Sequence, residues 1–96
     1  MSFVILPLFN TPNYNYKSRV NGYTLTFTFN KNSLSDKYYL TISLQDGSVI
    51  LQNKELSDGR QLFLNSNSPF FGYVSYNNFY STLPTSVGGY VLSLSY

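Results

Sequence analysis

Hydrophobic and polar residues alternate one for one through residues 23–30 (YTLTFTFN), so Tyr23, Leu25, Phe27 and Phe29 fall on one side and Thr24, Thr26 and Thr28 on the other. A two-residue period is that of a β-strand with one buried face. A weaker run over residues 14–20 places Tyr14, Tyr16 and Val20 together and ends in Asn21-Gly22, a dipeptide suited to a two-residue turn in which both positions take positive φ. These two runs are expected to pair as a hairpin. Residues 37–45 (KYYLTISLQ) set Tyr38, Leu40, Ile42 and Leu44 against Tyr39, Thr41 and Ser43. Asp46-Gly47 then turns the chain, glycine accepting positive φ and aspartate tolerating it. In the next strand Val49, Ile50 and Leu51 are consecutive, which predicts burial on both sides, and Asp58-Gly59 makes a further turn before residues 61–64.

The ends follow the same logic. Residues 3–8 form a short apolar run containing Pro7, which suits an edge or terminal strand where a missing N–H is tolerated. After the polar break at residues 65–69, six aromatics fall within residues 70–80, and a last alternating strand occupies residues 90–96 (YVLSLSY). No stretch carries a helical period. The expected fold is all-β: a small antiparallel barrel or sandwich built on a hairpin meander, without significant helix. One domain is expected over 1–96, with a terminal strand at 3–8, a meander core at 14–64 and an aromatic-rich C-terminal part at 69–96.

Composition narrows the chemistry. The 96 residues contain neither cysteine nor histidine, so disulfides, thiolate sites and the commonest metal ligand and general base are all absent. Asp46 and Asp58 each precede a glycine and are explained by turns, leaving Asp36 and Glu55 as the one carboxylate pair that could face a sugar across a cleft. Without an activated serine motif or a glycine-rich phosphate loop, no enzyme is expected, and no cofactor or metal. Charged residues make up only 10% of the chain while aromatics reach 19%, as ten Tyr and eight Phe. Such a surface is either hydrated by hydroxyl and amide groups or covered by partners, because aromatics are enriched and charges depleted at interface cores. The candidate interface residues are Phe70, Phe71, Tyr73, Tyr76, Phe79 and Tyr80, with Tyr14 and Tyr16. The net charge of +2 comes from scattered basic residues, which predicts no specific nucleic-acid partner, and no apolar run approaches the ~18 residues of a membrane helix.

The order of these elements resembles a known family. Leu25-x-Phe27-x-Phe29-Asn30, a short polar loop, Tyr38-Tyr39-Leu40-x-Ile42, Asp46-Gly47, Leu51, Leu56 and Gly59 look like the small baseplate plug proteins of contractile-tailed bacteriophages. The apolar start at residues 3–8 is similar too. Tyr38 stands where the family pattern has Trp, and the basic residues around the loop reduce to Lys31 and Lys37. No family role is carried past Pro69. The resemblance implies a structural virion protein made in the host cytoplasm and placed on the tail axis of the baseplate. Several copies would contact the spike hub, the tail tube and other baseplate proteins. The alternative that the aromatics support is a carbohydrate- or receptor-binding β module.

Overall fold

In the computed structural model, which describes residues 2–9, 11–32, 34, 37–57, 60–77 and 91–96, alternation becomes eight strands in two antiparallel sheets. The first sheet is a meander of β2 (Asn13–Val20), β3 (Tyr23–Asn32), β4 (Lys37–Leu44) and β5 (Val49–Glu55), each strand beside its chain neighbour. The second has the order β1 (Phe3–Leu6), β8 (Val91–Ser95), β7 (Tyr73–Asn77), β6 (Gln61–Phe63), so the two ends of the chain pair with each other. Ser2 and Tyr96 exchange N–H to C=O bonds of 2.8 Å in both directions, extending that pairing by one residue. The meander ends at Glu55. Residues 61–64, read from the sequence as continuing it, begin on the second sheet instead.

The sheets face each other as a sandwich and do not close into a barrel. Leu25, Phe27, Phe29, Leu40 and Ile42 from the meander meet Leu6, Leu62, Val74, Leu92 and Leu94 from the second sheet in one buried core. No buried polar or charged residue interrupts it among the described residues. The strict alternation of β3 thus places its side chains as expected, except that Tyr23, at the hairpin end, stays 41% exposed.

The two hairpin turns differ. Asn21 (φ 51°) and Gly22 (φ 81°) both take the left-handed conformation, as a two-residue turn of this kind requires. At the second turn only Gly47 does (φ 94°). Asp46 does not need positive φ there: its carboxylate accepts the Ser48 N–H at 2.9 Å, while Gly47 N–H donates to the Leu44 carbonyl at 3.0 Å and Leu44 N–H to the Ser48 carbonyl at 2.8 Å. The loop is therefore three residues long, a tight turn closed by a glycine bulge. Asp58-Gly59 lies outside the described residues.

Bulges also explain the consecutive apolar residues of β5. Ser43 faces Val49 but Ile42 faces Leu51, so Ile50 is an extra residue; Leu40 then faces Lys54, which adds another near Asn53 (φ 48°). Ile50 and Leu51 are both fully buried because the extra residue turns neighbours toward one core, where burial on two faces had been expected.

Candidate functional site

Register fixes which side chains of the second sheet look outward. Phe3 lies opposite Ser95, Ser95 opposite Tyr73, and Tyr73 opposite Phe63, so one row crosses all four strands. Paired residues in antiparallel strands share a face. The neighbours of this row, Val4, Leu94, Val74 and Leu62, form a parallel row that packs into the core. The outward row is consequently Phe3-Ser95-Tyr73-Phe63, followed two residues along by Ile5-Ser93-Ser75-Gln61.

Three aromatic rings gather at the β6 end of this face. Phe63 lies 5.4 Å from Tyr73 and 6.1 Å from Phe71, centroid to centroid. Phe71 is 71% exposed, Phe63 53% and Phe3 58%, and neither outward row contains a charge. Exposed aromatic groups without charge are the composition of an interface centre. Gly72 lets the chain pass between Phe71 and Tyr73, because a Cβ there would stand 2.6 Å from the Ser95 carbonyl oxygen. No side chain fits at that position, and the backbone of β8 is what excludes it.

The eight interface candidates separate by direction. Phe71 and Tyr73 belong to the outward cluster. Phe70 turns inward, stacked on Tyr23 at 5.7 Å and edge-on to Tyr96 at 6.2 Å, and Tyr76 also packs on the core. Tyr14 and Tyr16 line the inner margin of β2, Tyr14 stacked on Phe29 at 4.6 Å and Tyr16 on Phe29 at 5.7 Å. The segment after β1 bonds their hydroxyl ends and leaves both residues part-exposed: Tyr16 donates its hydroxyl proton to the Pro7 carbonyl at 2.9 Å, and the Tyr14 hydroxyl accepts the Phe9 N–H at 3.2 Å. Burial pushes both phenol pKa values up; for Tyr14 the Phe9 bond opposes the shift in part. Phe79 and Tyr80 lie outside the described residues. Phe63 and Phe3 were missed in the sequence, although Phe63 sits between the apolar Leu62 and Leu64 and by alternation had to point the other way.

Of the suggested carboxylate pair, only Glu55 lies among the described residues. The Glu55 carboxylate accepts hydroxyl bonds from Ser57 at 2.9 Å and Tyr39 at 3.2 Å and lies 3.8 Å from the Lys37 ammonium. These partners, Ser57 foremost, hold its carboxyl below the usual carboxylate range, which suits a strand-edge anchor and not a general acid. Asp36, its suggested catalytic companion, lies outside the described residues. No three acidic, histidine or cysteine side chains gather among the described residues. An open hollow of about 370 Å³ beside the two hairpin tips contains Arg19, Tyr23, Asp46 and Pro69, and Asp46 there is engaged with Ser48.

No curated protein and no solved structure matches the chain. A family does: cyanophage baseplate Pam3 plug gp18, over residues 3–86. That span runs from β1 through β7 and includes Phe3, Phe63, Phe71 and Tyr73, the aromatics of the outward rows and their cluster among the described residues. An all-β sandwich with an uncharged aromatic face suits a structural part, and the chain belongs to the family of cyanophage baseplate plug proteins.

Proposed function

We propose that the protein closes or lines the end of the tail tube, lying on the tail axis in several copies and packing against the spike hub and tube proteins. The observation that carries this reading beyond family membership is the outward cluster Phe63-Phe71-Tyr73, with Phe3 in the same row. Covering apolar surface removes it from water at a gain of roughly 25 cal/mol per Å². No charge has to be desolvated in either outward row, so the gain is not offset by burying an ion. The chemistry is assembly without turnover.

The test uses purified tails from a phage encoding this chain. Mass spectrometry of wild-type tails should find the protein in stoichiometric amount. The double change Phe63→Ser with Phe71→Ser should leave a folded protein that is depleted from tails. Wild-type incorporation of that variant would remove the cluster from the interface. A glycan bound by the free chain in an array, and lost on the same substitutions, would favour the receptor-binding alternative.

A further inference from the structure

Four strand edges bound the two sheets, and three of them are blunted. β1 offers four residues and runs directly into Pro7, which lacks an N–H; β6 offers three. β5 is longer, but it carries two bulges, and a crossing loop already occupies it: the Asn65 N–H donates to the Ile50 carbonyl at 2.8 Å and the Asn67 side-chain amide to the Val49 carbonyl at 3.1 Å. Short strands, bulges, proline and covering loops are the devices by which sheets avoid stray pairing.

Among the described residues, β2 has none of them. Its eight residues contain no proline and pair with β3 at every position from Asn13 to Val20 without a register shift. The two-residue turn makes Val20 and Tyr23 the closing hydrogen-bonded pair, so the even-numbered residues of β2 direct their N–H and C=O groups to β3. The Lys31 N–H bond to the Pro12 carbonyl, 2.8 Å, continues the same phase. Asn13, Asn15, Lys17 and Arg19 therefore turn their backbone N–H and C=O groups away from the sheet, and among the described residues no strand pairs with them.

The side chains select the partner. Those four residues also project outward and are exposed, bringing two cations and no acid, while Tyr14 and Tyr16 offer half-buried rings on the other face. We propose that β2 is a strand-addition site for an extended segment of a different protein in the baseplate. That segment carries carboxylates at alternating positions facing Lys17 and Arg19, with apolar side chains between them against Tyr14 and Tyr16. A second copy is disfavoured, because antiparallel self-pairing that overlaps most of the strand sets Lys17 opposite or diagonal to its own copy or to Arg19, and like charges across a pair destabilise it. Main-chain bonds supply the affinity of strand addition, and the alternate side chains its specificity. The proposal rests on the baseplate reading above.

Amide hydrogen exchange distinguishes the two. In the free chain the Asn13, Asn15, Lys17 and Arg19 amides should exchange rapidly while Tyr14, Tyr16 and Ser18 are protected; in purified tails the first set should slow by at least about tenfold, as newly bonded amides do. Asn15→Pro removes an outward N–H without touching a β2–β3 bond, and it should lower the amount in tails by about tenfold at an unchanged far-UV spectrum. Lys17→Glu with Arg19→Glu should do the same through charge. A chain present in tails whose four outward amides remain unprotected overturns the strand-addition proposal alone. A chain absent from tails overturns the baseplate reading and this proposal with it.

Discussion

Phe70 and Phe71 are adjacent aromatic residues that the structure assigns to opposite environments, and their alanine variants should separate folding from assembly. Phe70 packs on the core and contacts the rings of Tyr23 and Tyr96, at 5.7 and 6.2 Å. Truncating a fully buried Phe costs ~3–5 kcal/mol. Because Phe70 is only part-buried, Phe70→Ala should lose about 2–3 kcal/mol, including ring-pair terms of about 0.5–1.5 kcal/mol each. For a domain of this size that lowers Tm by roughly 10–20 °C. Phe71 is 71% exposed and its ring lies against the outward Phe63, so Phe71→Ala should stay within about 0.5 kcal/mol of wild type. The assay is urea unfolding of the isolated chain followed by circular dichroism, paired with quantitation in purified tails. Phe71→Ala should fold normally and assemble poorly, whereas any assembly defect in Phe70→Ala should follow its lost stability. Equal destabilisation by both changes would refute the assignment of the two faces.

Two further outcomes follow from local geometry. Gly72→Ala should destabilise by roughly 1–3 kcal/mol, because its Cβ would meet the Ser95 backbone oxygen at 2.6 Å and β8 would have to yield; an unchanged denaturation midpoint would contradict that contact. At high pH the buried Tyr16 phenol resists ionisation in the folded chain while the unfolded chain ionises near its ordinary value of about 10. Its contribution is thus complete below that value and is lost as pH rises beyond it. Tyr16→Phe should flatten this part of the stability profile while losing about 1 kcal/mol at neutral pH with the bond to Pro7, and an unflattened alkaline limb would show that Tyr16 is not the group responsible.

What was legible in the sequence was what depends on alternation and on local turn chemistry. β3 and β4 each carry several turns of a strict two-residue pattern, so Leu25, Phe27, Phe29, Leu40 and Ile42 could be placed in the core at once. Asn21-Gly22 has a single good solution and adopted it. The β5 bulges were hidden because an extra residue changes the phase of alternation and so imitates a strand covered on both faces. The crossing of residues 61–63 to the second sheet depends on nonlocal packing, which no local pattern specifies. At the candidate site, the aromatic density of residues 70–80 drew attention to Phe70, Phe71, Tyr73 and Tyr76 but could not give the direction of each ring. Parity relative to Val74 decides that for Tyr73 and Tyr76, and the β6 register brings in Phe63, some ten residues upstream. The family match reaches residue 86, past the Pro69 break where the sequence resemblance ended.

The same inventory of edges bears on why a chain with so little charge can exist before it is assembled. Open, regular edges promote association, and among the described residues this sandwich leaves one such edge while shortening, bulging or covering the other three. The remaining edge carries Lys17 and Arg19, the kind of charge that hinders pairing with its own copies and admits a partner bearing carboxylates. Meanwhile, inward of the Lys17 and Arg19 edge, the outward face of the meander carries hydroxyl and amide groups, with Asn15, Thr28 and Thr41 in one row and Thr26 and Ser43 in the next. Water can satisfy those groups without any charge. The two proposed contact features, the aromatic face of the second sheet and the β2 edge of the first, belong to different sheets of the sandwich. A subunit with two unlike contact features on separate sheets can bridge two different neighbours, the arrangement required of a part that joins components of a baseplate and not of one that merely coats a surface.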